Sequence, residues 1–104
     1  MVGTSLDGID AVLVEFGSGG TPAVIDFRTG GFEDVDPMRL RAVASGAATS
    51  TAELSELAGS LARDHVRAVT AVDPAGTADL IGAHGVTVSH VPDADPGHGW
   101  QLLS

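Results

Sequence analysis

The apolar positions of this 104-residue chain form short continuous runs near both ends and a helical repeat in the middle. The apolar run Val12 to Val14 predicts a strand over residues 10–16 that is covered on both faces. A glycine-rich loop over residues 17–22 leads to a second predicted strand over residues 23–27. Because the loop is short, the two strands are expected to pair antiparallel.

A short helix is predicted after the second strand. Asp36 is expected to cap its N-terminus, and Pro37 fits the first helical position because no intrahelical N–H bond is needed there. The helix is expected to run to about Ala44 and to end at Ser45-Gly46. Both of its ends are therefore predicted from capping signals.

A second, longer helix is predicted to begin near residue 50. Ser50 and Glu53 fit a capping box, in which Ser50 caps the helix and Glu53 reaches back to it. Pro74 and Gly76 are expected to end the helix. Its apolar face recurs every three or four residues and comprises Leu54, Leu57, Ala58, Leu61, Ala62, His65, Val69 and Val72. The charged residues expected mostly off this face are Glu53, Glu56, Arg63, Asp64 and Arg67, and the two arginines are expected to pair with Glu56 and Asp64.

The last third of the chain predicts strands separated by bends. Residues 78–81 predict a buried strand, and His84-Gly85 predicts a bend after it. The valines within residues 86–91 predict an extended segment, residues 92–97 predict a turn-rich loop, and residues 100–103 predict a final strand. Two antiparallel strands, then helices, then further strands indicate the α/β fold class.

The chain is strongly acidic, with 14 aspartates and glutamates, five arginines and a formal net charge of −9. This balance argues against nucleic acid and anionic membranes as partners, because both need a cationic patch. An acidic chain can still bind ATP where amides, hydroxyls and Mg²⁺ meet the phosphates. Cysteine is absent, so no disulfide or thiolate site is expected. With no apolar run of membrane-spanning length and no signal-peptide pattern, we expect a cytoplasmic protein of one domain or less.

The residues with the most chemical potential lie in the opening segment, which comprises Gly3, Thr4, Ser5, Leu6, Asp7, Gly8, Ile9 and Asp10. Asp7-Gly8 predicts a tight hairpin turn, because glycine adopts positive φ without steric cost. The glycine amide and two hydroxyls before the turn can hold phosphate, and the two carboxylates can hold a hydrated Mg²⁺. The alternative is an ordinary hairpin in which Thr4 and Ser5 hydrogen-bond within their own turn.

Three stretches resemble the anhydro-N-acetylmuramic acid kinases, and they occur in the order found in that family. The opening segment is similar to the GTSxDGxD motif at the start of these kinases. Residues 80–92 are similar to the family's IGSHGQTVxHxP segment, with Val86 in place of the glutamine. Residues 100–102 resemble the strand that follows it. The matches reach both ends of the chain but correspond only to the opening part of a family member.

The resemblance implies the actin-like, ribonuclease-H-like ATPase fold of sugar kinases, in which ATP binds between two lobes. Residues 1–104 would supply an incomplete N-terminal part of the first lobe. ATP and Mg²⁺ are the implied cofactors, and anhydro-N-acetylmuramic acid is the implied substrate. The family opens the 1,6-anhydro ring with water and phosphorylates O6, giving N-acetylmuramic acid 6-phosphate in peptidoglycan recycling. A homodimer is implied for the complete protein.

The resemblance also indicates which parts of such a kinase are not in this sequence. The family's catalytic aspartate lies in a later DTGPGN-type motif, which the chain does not contain, so no catalytic residue is assigned. The adenosine-binding segments are absent too, and family members begin several residues before the position of Met1. We therefore expect the chain to be a fragment that is inactive alone. A non-catalytic binding remnant of the lobe is the alternative.

By resemblance, the opening segment would bind the ATP phosphates, and His84, Thr87 and His90 would line the sugar side of the cleft. The place of His84 after a predicted strand agrees with ligand binding beyond the carboxyl ends of strands in α/β sheets. The alternative for His84 is a turn residue bonded to backbone. Where the family's glutamine contacts ligand, Val86 would remove that contact.

A second constellation has the form H-x2-D-x-D-x2-H and is made by His90, Asp93, Asp95 and His98. Imidazoles and carboxylates at this spacing can hold a divalent ion. A solvated loop of turn residues is the favoured interpretation, because none of the four lies on a rigid element, and no metal ligand is assigned. His65 and Trp100 are predicted to be packing residues.

Overall fold

The computed structural model of the chain describes residue 6 and residues 8–91 and 98–102. Two antiparallel strand pairs precede and follow two helices, which confirms the predicted mixed α/β class. The elements are β1 (Ile9–Phe16), β2 (Pro22–Gly30), α1 (Pro37–Ala44), α2 (Thr51–Val72), β3 (Val86–Val91) and β4 (His98–Leu102). In this part of the chain, no helix combines the length and the apolar character that crossing a bilayer requires.

β1 and β2 form the predicted antiparallel hairpin. In its turn, Gly20 has a φ of 76°, and its N–H donates to the Gly17 carbonyl oxygen at 3.0 Å. This left-handed conformation suits glycine, which explains the glycine-rich sequence of the loop. β2 extends beyond the predicted residues 23–27, because its pairing with β1 continues as far as Ile9 opposite Gly30.

A β-bulge interrupts the register of the hairpin. Leu13 pairs with Asp26, whereas the next residue, Val14, pairs with Val24, so that Ile25 is the extra residue of β2. Since side chains alternate between the faces of a strand, this extra residue returns the following side chains to the opposite face. Val24 and Phe27 consequently lie on the same face of the hairpin, although they are three positions apart.

The outer face of the hairpin, which comprises Val12, Val14, Phe16, Val24 and Phe27, is largely open to solvent. Val12 is 51% exposed, and Phe27 directly opposite it is 55% exposed. The prediction that β1 is covered on both faces is therefore wrong. α2 packs against the hairpin on the inner face, where Ile9 is buried.

α1 has the boundaries that its capping residues predict. Asp36 Oδ1 accepts the Met38 N–H at 3.0 Å, which satisfies one of the free donors at the helix start. The helix ends before Gly46, whose φ of 95° turns the chain away. Leu40 and Val43 are its buried residues, so α1 presents one apolar face to the core.

α2 begins at its predicted cap, but only half of the predicted capping box forms. Ser50 Oγ accepts the Glu53 N–H at 3.1 Å. The Glu53 carboxylate instead accepts from Arg39 Nε and from the Thr49 hydroxyl, both at 2.6 Å. The expectation that Glu53 reaches back to Ser50 is wrong, because a guanidinium is a stronger donor than a neutral amide. The resulting Arg39–Glu53 pair joins α1 to the start of α2.

The hydrogen bonds from Arg39 and Thr49 lower the pKa of Glu53 from 4.5 to about 2. Because the folded state depresses this pKa, the stabilisation from the carboxylate is complete above 4.5 and is lost as the pH falls towards about 2. Glu53→Gln should therefore have a lower urea midpoint than the unsubstituted chain at about pH 6, and the difference should vanish near pH 2. Glu56→Gln, on the exposed side of the same helix, is the matched control. A difference that stays constant with pH would contradict this assignment.

One hydrophobic core connects the opening segment with the helices and β3. Leu40 and Leu61 are fully buried at its centre, each contributing about 1.5–3 kcal/mol of burial energy. The buried positions of α2 include Leu57, Leu61 and Val72, which confirms three members of its predicted apolar face. The core consists of Leu6, Ile9, Val35, Leu40, Val43, Leu57, Leu61 and Val86.

The predicted buried strand at residues 78–81 does not form. Leu80 is 89% exposed and Ile81 is 62% exposed, and no strand pairing includes this stretch. Instead, the Asp73 carboxylate accepts the N–H groups of Thr77 and Ala78, both at 2.9 Å, and holds the chain in a turn after α2. An apolar run becomes a strand only where a neighbouring strand completes its hydrogen bonds, and the described chain offers none here.

β3 and β4 form a separate antiparallel pair. β3 confirms the extended segment predicted from its valines, and its first residue, Val86, is buried in the core. β4 begins at His98, two residues before the predicted final strand, because its pairing starts with Val91 opposite His98. The predicted loop at residues 92–97 and the predicted strand end at Leu103 lie outside the described residues.

Candidate functional site

The structure describes four residues of the opening segment: Leu6, Gly8, Ile9 and Asp10. The other four lie outside the described residues, so their predicted phosphate contacts stay predictions. Ile9 is 3% exposed and belongs to the core, so its side chain cannot face a ligand. Asp10 is exposed and lies in β1 opposite Thr29. Of these four residues, Asp10 therefore offers the only side chain with metal-binding chemistry.

Leu6 has an unusual backbone conformation. Its φ is 54°, and it is the one non-glycine residue of the described chain with positive φ. A bulky residue in this region costs about 1–3 kcal/mol unless its surroundings hold it there. Leu6 is 9% exposed and packs in the core, and its carbonyl oxygen lies 3.5 Å from Arg41 Nη2. The core and an arginine of α1 together hold the backbone of Leu6 in this conformation.

Gly8 is required for a different reason from the one predicted. Its backbone lies outside the positive-φ region, so the predicted left-handed glycine of the Asp7-Gly8 turn is wrong. A Cβ on Gly8 would lie only 2.2 Å from the Gly30 carbonyl oxygen. The end of β2 approaches the opening segment so closely that only glycine fits. Gly8 is thus packed against backbone that belongs to β2.

The connector between β2 and α1, residues 31–36, is held by a side chain from α2. Asp64 is 3% exposed, and its carboxylate accepts the N–H groups of Glu33, Asp34 and Val35 at 2.9–3.3 Å. Arg67 Nη1 donates to the same carboxylate at 2.8 Å. This arrangement gives three consecutive connector N–H groups the hydrogen-bond acceptor that a helix or a sheet would otherwise supply.

Burial raises the pKa of Asp64, but the N–H groups of the connector and the charge of Arg67 outweigh it and hold the pKa below its ordinary value. Asp64 therefore remains ionised near neutral pH. The prediction that Asp64 lies off the apolar face of α2 is wrong, because the connector covers that side of the helix. The predicted pair with Arg67 does form. Arg63 pairs with Asp34 at 3.4 Å, outside its own helix.

The predicted sugar-binding residues fall at the edge of the described region. His84 is exposed, and since residues 78–81 form no strand, its predicted place beyond a strand end is wrong. The backbones of Thr87 and His90 lie in β3, opposite Gln101 and Gly99. Their common role at a sugar site stays a prediction.

In the second constellation of histidines and aspartates, His90 and His98 lie in β3 and β4, so the expectation that none of the four lies on a rigid element is wrong for these two. Asp93 and Asp95 lie outside the described residues. Within residues 6 and 8–86, no three metal-ligating side chains come together. His65 Nδ1 contacts the Leu61 carbonyl oxygen at 2.8 Å on the core side of α2, in agreement with a packing role.

Comparison with known proteins assigns the chain to a family. The family model described as anhydro-N-acetylmuramic acid kinase matches residues 1–103. Relatives named anhydro-N-acetylmuramic acid kinase occur in Acidiphilium cryptum (40% identity, covering 98% of the chain), Synechococcus sp. strain CC9605 (39%, 99%) and Prochlorococcus marinus strain MIT 9303 (38%, 99%). No solved structure matches the chain.

These names place the relatives among the kinases. The match over almost the whole chain shows further that this chain belongs to the anhydro-N-acetylmuramic acid kinase family, as the motifs predicted. The chain spans 28% of the length of each of the three relatives.

Proposed function

We propose that this chain provides the first ATP-phosphate-binding segment of an anhydro-N-acetylmuramic acid kinase. The match of residues 1–103 to that family carries the proposal. The strained Leu6 and the close approach of Gly8 to Gly30 support it, since strained and tightly constrained backbone is common where proteins bind ligands. The lobe would belong to the actin-like, ribonuclease-H-like ATPase fold, in a cytoplasmic protein that forms homodimers when complete.

In this proposal, the opening segment directs its amides and hydroxyls at the phosphates of ATP. The carboxylates of Asp7 and Asp10 would hold Mg²⁺, since carboxylate oxygens are the donors that this ion prefers, and the exposed position of Asp10 suits this role. The bound ion would neutralise charge on the phosphates. The chain's part in the reaction is to orient the nucleotide, so that its γ-phosphate meets O6 of the sugar.

The substrate in this proposal is anhydro-N-acetylmuramic acid, whose 1,6-anhydro bond is opened by water while O6 receives the phosphoryl group. The product is N-acetylmuramic acid 6-phosphate, and the reaction serves peptidoglycan recycling. His84, Thr87 and His90 would contact the sugar. The exposed position of His84 leaves it accessible for such a contact.

The nucleotide role of the opening segment can be tested in a full-length protein restored by joining residues 1–103 to the remainder of the Acidiphilium cryptum relative. Asp7→Asn and Asp10→Asn should each weaken MgATP binding by about tenfold or more, because loss of an anionic metal ligand costs upwards of about 1.4 kcal/mol. Titration calorimetry would measure the affinity, and Asp79→Asn, at an exposed site outside the segment, is the control. Unchanged affinity in both variants would refute the proposal.

We also propose that the 104-residue chain has no kinase activity by itself. The DTGPGN-type motif is absent from its sequence, and catalysis of this kind also needs a second lobe that closes on ATP and excludes water. Incubation with MgATP and anhydro-N-acetylmuramic acid should yield no 6-phosphate, whereas the restored full-length protein should yield it. Product above a no-protein control, removed by Asp7→Asn, would show that the chain carries its own catalytic groups.

A second candidate function is a non-catalytic binding module. The apolar outer face of the β1–β2 hairpin favours it, because exposed apolar patches commonly mark sites of association. Association of the 104-residue chain would be seen as a concentration-dependent mass in analytical ultracentrifugation. A monomer at all concentrations, together with MgATP binding lost in Asp10→Asn, would favour the kinase role alone.

A further inference from the structure

The charge pairing of the arginines singles out Arg41. Four of the five arginines pair with carboxylates within the described chain: Arg28, Arg39, Arg63 and Arg67. Arg41 has no carboxylate partner among the described residues. In a chain whose formal charge is −9, a cation without such a partner has a high electrostatic attraction for an added anion.

Arg41 also lies beside the opening segment. It belongs to the last turn of α1, and its Nη2 is 3.5 Å from the Leu6 carbonyl oxygen. This distance is at the long limit of a hydrogen bond, so the contact engages one edge of the guanidinium weakly. A guanidinium has five N–H donors in a planar fork. The remaining donors of this exposed side chain are therefore accessible to a ligand at the segment.

The opening segment needs a cation if it binds a polyphosphate. It contains two carboxylates and no basic residue, and both carboxylates repel phosphate oxygens. Mg²⁺ would offset part of this repulsion by bridging carboxylate and phosphate oxygens. A guanidinium would offset a further part, because it adds a positive charge whose N–H groups can donate to phosphate oxygens. Arg41 is the one arginine in contact with a described residue of the segment.

We propose that Arg41 is an anion-binding residue of the opening segment. Held at the Leu6 carbonyl, it directs its other N–H groups to a phosphate oxygen of the bound nucleotide and supplies the positive charge that the segment lacks. This inference rests on the proposed function of the segment. It predicts that the positive charge at position 41 matters for binding, whereas a purely structural Arg41 would matter only for holding Leu6.

The test is a titration of the ¹⁵N-labelled 104-residue chain with magnesium tripolyphosphate, followed through the amide signals of Leu6, Gly8 and Ile9. Arg41→Gln should weaken binding about tenfold or more, as expected for the loss of one charge-assisted contact. Arg41→Lys should keep most of the affinity, because it retains the charge. Arg28→Gln removes an exposed arginine on β2 and should leave the affinity within about twofold, as the control.

The salt dependence of the affinity distinguishes a charge contact between Arg41 and phosphate from a purely structural role of Arg41. Each ionic contact to phosphate makes the affinity fall more steeply with salt, so Arg41→Gln should show a shallower dependence on NaCl than the unsubstituted chain. A structural loss would lower the affinity equally at all salt concentrations. If the amide spectrum of Arg41→Gln shows that this variant is unfolded, the affinity of Arg41→Lys tests the inference instead. A folded Lys variant with lost binding would overturn the inference, and one that binds with the unsubstituted chain's salt dependence would support it.

Failure of this inference can be told from failure of the proposed function. If the unsubstituted chain shows no signal changes with magnesium tripolyphosphate, the inference about Arg41 is refuted for this chain, and MgATP calorimetry of the restored full-length protein decides the proposed function separately. If the chain binds, Asp10→Asn weakens binding and folded Arg41→Gln does not, the proposed function stands and the role of Arg41 is refuted. Weakening by both variants, with the shallower salt dependence in Arg41→Gln, is the result we expect.

Discussion

Asp64→Ala is expected to lower the free energy of unfolding by about 2–4 kcal/mol, because several connector N–H groups lose their acceptor and each unsatisfied buried donor costs about 1–3 kcal/mol. The substitution leaves the N–H groups of Glu33, Asp34 and Val35 without their acceptor and deprives Arg67 of its buried partner. A domain of this size has about 5–15 kcal/mol of total stability, so much of it would be lost.

Urea unfolding followed by circular dichroism would measure the effect. Glu56→Ala, on the exposed side of the same helix, should change stability by less than about 0.5 kcal/mol and is the matched control. Asp64→Asn should fall between the two, because its amide oxygen can accept from some of the connector amides but its charge is gone. Equal stability of Asp64→Ala and Glu56→Ala would mean that the connector does not depend on the carboxylate.

Gly8→Ala should combine a loss of stability with a loss of nucleotide binding. The added Cβ would lie 2.2 Å from the Gly30 carbonyl oxygen, and since that atom is backbone, either β2 or the opening segment must move. Strain of this kind costs about 1–3 kcal/mol. Under the proposed function, the displacement should also weaken binding of MgATP to the restored full-length protein by at least about tenfold, because the proposed phosphate contacts depend on the backbone of the segment.

Gly59→Ala is the matched control for this second prediction. Gly59 lies within α2, where a Cβ would meet only Arg63 Nη1 at 3.7 Å, an ordinary contact. Alanine is better than glycine in a helix, so this variant should gain up to about 1 kcal/mol and keep its affinity for MgATP. A Gly8→Ala variant as stable as the unsubstituted chain would show that the approach of Gly30 is not a constraint.

The helices and the first hairpin could be predicted from sequence because their signals are local. Asp36 and Ser50 cap the helices that follow them, and the glycine-rich loop predicts the turn between two apolar runs. The strand at residues 78–81 could not be predicted correctly, because an apolar run shows preference for burial and not the presence of a neighbouring strand. The prediction that both faces of β1 are covered failed for the same reason, because its apolar run does not show whether another element packs on the outer face.

Long-range contacts of polar side chains account for the other differences. Nothing near Ser50 in the sequence indicates that Arg39 donates a hydrogen bond to the Glu53 carboxylate. One sequence signal could have indicated that Asp64 is buried. It lies three residues after Leu61 and next to His65, both of which belong to the predicted apolar face of α2. The motif predicts a phosphate site, which stays a prediction, whereas the contact of Arg41 with Leu6 depends on how α1 packs and has no local sequence signal.

The Asp64 anchor also constrains the order of events during synthesis. The connector amides are separated from their acceptor by 29 to 31 residues, so they are synthesised well before Asp64. At typical rates of translation this interval is about 2–6 s. Until α2 has been made and has docked, water must satisfy these amides, so the connector cannot take its final conformation. The hairpin is synthesised first, but the connector that follows it can acquire its final hydrogen bonds only after α2 has been made.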